Sequence, residues 1–159
     1  MTGVRQHLTN SRMRPALSPS TPAGGPPLGL AVFVTFCAMF GLFPVITPYS
    51  QQLGAGLDVA AWIVSIYSLT NLFGNAAAGL LIQRWGAAWT VRAGLWLTAL
   101  AVMLYAVSNQ PAMLLAVRAV HGFVAAWVIP AAFALAAADL PRERRGRGLG
   151  RLGAPIGLA

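Results

Sequence analysis

The chain has 159 residues, 57% of them hydrophobic and only 9% charged, with a net charge of +8 and a mean hydropathy of +0.67. A soluble domain carries about 25% charged residues, and one this short could not stay dissolved with so little polar surface. The composition argues against a soluble enzyme and against a disordered tail, and it points to a membrane.

Four long runs hold no Asp, Glu, Lys or Arg: residues 15–57, 59–83, 93–117 and 119–138, of 43, 25, 25 and 20 residues. About 20 apolar residues in a helix cross the hydrocarbon core, and a helix satisfies its own backbone groups there. The alternation that a membrane barrel needs is absent. The expected fold class is an all-α membrane protein.

In chain order, residues 1–27 carry Arg5, Arg12 and Arg14, followed by a Pro/Gly/Ser-rich stretch from Ser18 to Pro27. This reads as a disordered basic tail. A secretory signal also opens with basic residues, but the run from Leu28 to Tyr49 is longer than a signal core and lacks a small-x-small cleavage site. It is the first span. The second is expected from Val59 to Ile82, the third from Trp89 to Ser108 and the fourth from Ala112 to Ala138. A fifth apolar stretch starts near Leu149, and the 11 residues to Ala159 are too few to cross at ~1.5 Å per residue. The expectation is four complete spans and the start of a fifth, in a truncated chain.

The arginines sort by side. Arg5, Arg12 and Arg14 precede the first span, Arg84 and Arg92 flank the 2–3 turn, and Arg142, Arg144, Arg145, Arg147 and Arg151 follow the fourth. The 1–2 and 3–4 loops hold none. Positive residues stay inside, so the N-terminus, the 2–3 turn and the 4–5 loop are expected in the cytoplasm. Trp85 and Trp89 then fall at the inner interface, and Tyr49 and Trp62 at the outer one. Basic clusters also bind nucleic acid, but each cluster here flanks an apolar run, so no nucleic-acid partner is expected. The single cysteine, Cys37, excludes an internal disulfide and a multi-cysteine zinc site; no metal or cofactor is expected.

Arg118 lies inside the fourth span, about 10 Å from its outer end. A charge at that depth is costly and marks function by default; the alternatives are snorkelling to the outer interface or bonding to backbone carbonyls. His121 lies three residues on, on nearly the same face, either as a packing residue or as a proton carrier. Tyr67, Asn71 and Asn75, with Ser68 alongside, form a polar stripe on the second span that should face the bundle interior or a cavity. It reads as a pathway wall or as interhelical hydrogen bonding. Gly74, Ala78 and Gly79 offer close helix approach, and Pro44, Pro48 and Pro130 can each kink a helix.

Several of these residues fall into motifs. Gly79-Leu80-Leu81-Ile82-Gln83-Arg84-Trp85-Gly86 resembles the G-x-L-x-D-R-x-G signature of the major facilitator superfamily, and Arg118-Ala119-Val120-His121-Gly122 resembles its R-x-x-x-G motif. Gly41 to Pro48, with Pro44 and Pro48, is similar to the P-x-x-x-P element of the twelve-helix drug:proton antiporters, and Pro141 to Gly150 fits the family's 4–5 loop. The resemblance covers residues 28–159. It departs from the family at Gln83, where the signature has an acid, and at Ala87-Ala88, where it has a basic pair.

The resemblance implies part of the N-terminal six-helix half of a secondary transporter. It implies export of a drug or metabolite by proton antiport, with no enzymatic step and no cofactor. Eleven arginines without a lysine, with abundant alanine and glycine, suggest a GC-rich bacterial source and hence an inner membrane. Arg118, His121 and Gly122 are assigned to coupling. Gly79, Gln83, Arg84 and Gly86 form a gating turn, with Asp139 as partner of Arg84. Tyr67, Asn71 and Asn75 are the candidate cavity face. The implied partners are the lipid bilayer, a small-molecule substrate with protons, and the C-terminal half of the transporter. The alternative is a non-transporting fragment of such a transporter. A membrane-embedded hydrolase lacks an intramembrane acid and a glycine-framed serine.

Overall fold

The computed structural model describes residues 26–138, 140 and 145–154. Most of the basic tail, Asp139, Arg142 and Arg144 lie outside the described residues, and with them the expected Arg84–Asp139 pairing. Six helices follow in order: α1 (Pro26–Gln52), α2 (Leu57–Trp85), α3 (Ala87–Tyr105), α4 (Pro111–Ala125), α5 (Val128–Ala138) and α6 (Arg145–Gly153). There is no strand among the described residues. The segments Leu28–Gln52, Leu57–Trp85, Ala87–Tyr105 and Pro111–Ala138 are each long and apolar enough to cross a membrane.

The four expected spans are present, with one to three residues more at several ends, three fewer at the end of the third, and one internal difference. The fourth span is two helices, α4 and α5, separated at Ala126-Trp127. Pro130 has no N–H to return to the Ala126 carbonyl, and its ring crowds that carbonyl. The chain tightens there: the Trp127 amide donates to Val124 at 3.2 Å, and regular spacing resumes with Ala131 donating to Trp127 at 3.4 Å. Pro44 and Pro48 leave α1 continuous over its 27 residues. The apolar start near Leu149 belongs to α6, which begins four residues earlier.

Only Gly86 separates α2 from α3. Its φ of +84° and ψ of +156° lie in a region that is essentially reserved for glycine. The Gly86 amide closes α2 on Ile82 at 3.0 Å, and its carbonyl opens α3 by accepting from the Thr90 amide at 3.2 Å and the Thr90 hydroxyl at 2.9 Å.

The most extensive contact is between α2 and α4, and glycine creates it. A Cβ on Gly74 would collide with the Phe123 carbonyl and lie 2.8 Å from the Ala126 Cβ; one on Gly122 would collide with the Tyr67 carbonyl. Ala78 is fully buried on the same face of α2. Gly79 departs from expectation, since it is exposed and a Cβ there would have nothing within 4 Å. One residue on from Ala78, it is rotated about 100° around the helix and away from α4.

Two apolar clusters fill the ends of the bundle. One gathers Leu28, Val32, Val91, Ala131, Ala132 and Ala136; the other gathers Ile46, Ile63, Tyr105, Leu114 and Val117. Many large apolar side chains stay outside, among them Trp96 at 78%, Met103 at 70% and Leu80 at 69% exposure. In water such a surface would aggregate; in a bilayer it faces hydrocarbon.

Candidate functional site

Between the two apolar clusters along α4 lies a polar layer. Arg118, His121, Gly122 and Ala125 follow the i, i+3, i+4, i+7 pattern that puts them on one side of α4, and all four are buried. Arg118 is 0% exposed, so it does not snorkel. Its Cζ lies 4.7 Å from the Tyr67 ring centroid and 5.3 Å from that of Phe43. The guanidinium is thereby held between rings of α1 and α2.

The alternative of bonding to backbone carbonyls is not made either. Nε, Nη1 and Nη2 have no hydrogen-bond partner among the described residues. Residues 59–138 contain no Asp or Glu, and Asp58 is exposed at the start of α2. Magnitudes show how incomplete this environment is. A cation–π contact with a desolvated cation contributes about 2 kcal/mol, whereas a charge at mid-bilayer costs ~2.5–3.5 kcal/mol even on insertion scales. Each buried donor left unbonded adds about 1–3 kcal/mol.

His121 is better provided for. Its Nδ1 lies 3.1 Å from the Tyr105 hydroxyl, and its ring meets Tyr67 and Tyr105 edge-on at 5.3 and 5.7 Å. Either ring tautomer completes the Tyr105 bond, with the hydroxyl as donor or acceptor. Sequence reasoning missed Tyr105 and Phe43. Tyr105 was legible only as a polar-tipped residue near a helix end, and nothing in the sequence distinguishes Phe43.

The stripe on α2 divides along its length. Tyr67 is buried, Asn71 half-buried and Asn75 exposed, while Ser68 turns away to an exposed position. Asn71 Nδ2 donates to the Gly122 carbonyl at 3.1 Å, and Asn75 Nδ2 donates to the Asn71 side-chain oxygen at 2.9 Å. All three line a cavity of about 270 Å³, together with Thr35, Phe36 and Met39 of α1 and Ala125, Ala126 and Ile129 at the α4–α5 break. The stripe thus bonds across to α4 and also lines this cavity.

At the far end of α2, Gln83, Arg84 and Gly86 are exposed, and Arg84 lies 5.6 Å from the Trp85 ring. Trp85 and Trp89 meet across the glycine turn with ring centroids 4.6 Å apart and planes tilted by 59°. Exposed basic and indole side chains at a helix end suit a membrane interface. No group of three or more potential metal ligands occurs among the described residues.

The family model of the Major Facilitator Superfamily matches residues 28–159, all four spans and the polar layer included. The chain belongs to the major facilitator superfamily. A comparison with curated proteins gives no match. Membership and the four apolar helices together make this a multi-pass membrane protein, a transporter of the superfamily. Within it, the G-x-L-x-x-R-x-G turn is the Gly86 connection between α2 and α3, and the R-x-x-x-G motif is the buried face of α4.

Proposed function

We propose that this major facilitator chain is the N-terminal part of a secondary transporter that exports a small drug-like or metabolite solute by proton antiport. The observation that carries the reading is the cavity lined by Tyr67, Asn71 and Asn75 beside the buried Arg118–His121 pair. Substrate sites of secondary transporters lie near the bilayer midplane between repeats, and this cavity occurs at mid-length of α1 and α2. At about 270 Å³ it is slightly smaller than ligand pockets, which run from about 300 to 1,000 Å³.

In this reading the N-terminus and the Gly86 turn are cytoplasmic, in a bacterial inner membrane, and Gly79, Gln83, Arg84 and Gly86 act as the gating turn with Asp139. Arg118, His121 and Gly122 form the coupling region. His121 contributes an imidazole already bonded to the Tyr105 hydroxyl. The remaining helices of the transporter are the partner that closes the cavity. Inverted vesicles carrying the protein and an imposed pH gradient test the proposal. Addition of a transported solute dissipates the gradient; vesicles that hold their gradient against a broad panel of solutes support the non-transporting fragment instead. The downstream reading frame separates the same two readings, since seven or eight further spans belong only to the transporter.

A further inference from the structure

The transport reading leaves Arg118 short of a counter-charge. The guanidinium is completely buried, all three nitrogens lack a hydrogen-bond partner among the described residues, and no acid lies in residues 59–138. A buried cation is tolerable when it is paired and hydrogen-bonded. The two rings beside it supply attraction but accept no conventional hydrogen bond. The planar fork of arginine fits a carboxylate, two parallel N–H···O bonds at once.

The neighbouring cavity defines the rest of the ligand. Phe36, Met39, Ala125, Ala126 and Ile129 give it an apolar side, whereas Thr35, Tyr67, Asn71 and Asn75 give it a polar one. Tyr67 belongs to both places, since it lines the cavity and its ring lies 4.7 Å from the guanidinium. It is the side chain that stands between the cavity and the charge. A single cation balances a single negative charge, so a dianion would remain uncompensated.

We propose that Arg118 receives the carboxylate of the transported solute, and that the solute is a small organic monoanion with an apolar body, admitted by movement of Tyr67. That the solute is transported rests on the transport reading, while the anion site stands on geometry alone.

Benzoate is a suitable probe, with benzamide as its uncharged counterpart. The full protein in lipid nanodiscs should bind labelled benzoate saturably, and excess benzamide should not displace it. Arg118→Gln should weaken benzoate at least about tenfold, with Arg118→Lys, which keeps the charge but not the fork, in between. Absence of saturable benzoate binding at millimolar concentration overturns the proposal, and is the outcome if a side-chain carboxylate elsewhere in the transporter holds Arg118. Equal displacement by benzamide also overturns it. That comparison uses only the native protein, so it holds even if Arg118→Gln fails to fold. Proton-coupled flux in the same preparation separates the two readings. Arg118-dependent benzoate binding without flux removes the transport reading and keeps the site; flux of neutral solutes with no benzoate binding does the reverse.

Discussion

Gly122 and Gly79 are both glycines of family motifs, and their surroundings demand opposite behaviour. Gly122→Ala drives a methyl into the Tyr67 carbonyl and Thr70 Oγ1, backbone and short side chain that have little room to yield. Overpacking of this kind costs about 1–3 kcal/mol, so the variant should melt markedly below wild type in detergent. Gly79→Ala meets open space and should melt with wild type; a matched loss in both would refute the close crossing of α2 and α4. Asn71→Leu removes the donor to the Gly122 carbonyl. The loss should be smaller, about 0.6–2 kcal/mol for an interhelical hydrogen bond in a membrane, read as the shift in the same melting curve. The residues of the polar layer were legible where chemistry clashes with surroundings: Arg118, His121 and Tyr67 are conspicuous in apolar helices. Phe43 and Tyr105 are ordinary membrane residues, and only packing reveals that they surround the charge.

At the scale of elements, the decisive features are one glycine and one proline. Gly86→Ala places a Cβ on a backbone with φ +84°, where strain amounts to ~1–3 kcal/mol. Reduced abundance in the membrane should follow, whereas Ala88→Gly, two residues on in the exposed first turn of α3, should cost under about 1 kcal/mol. Pro130→Ala restores an amide opposite the Ala126 carbonyl. Hydrogen exchange should then report a protected amide at residue 130, and an unprotected one would mean that packing, not proline, divides α4 from α5. The sequence pattern marks Pro44, Pro48 and Pro130 equally as sites of bending. It cannot rank them, because the outcome depends on neighbours: at the α4–α5 break a Cβ on Gly94 of α3 would stand 3.0 Å from the Val128 side chain, whereas Pro44 and Pro48 are exposed.

For the whole molecule, length and charge decide the spans, since few segments other than a membrane helix tolerate 20 or more residues without a charge. The order of spans and the family followed from that and from the motifs. Orientation rests on the arginines and has a direct test. In a Cys37→Ala background, cysteines at Gly56 and Asn109 should react with an impermeant thiol reagent on intact cells, and one at Gly146 only after the membrane is opened. Labelling of Gly146 in intact cells would reverse the orientation. The three positions are exposed, so an unreactive result reports the side of the membrane and not burial.

The single-residue connection at Gly86 also bears on how the protein is made. With one residue between them, α2 and α3 form a tight helical hairpin. The 29 residues of α2 and the 19 of α3 should therefore enter the membrane as one folded-back pair. Biosynthesis should therefore pause in commitment until Tyr105 has emerged, and a nascent chain arrested within α3 should still be extractable from the membrane to a greater extent than one arrested after it.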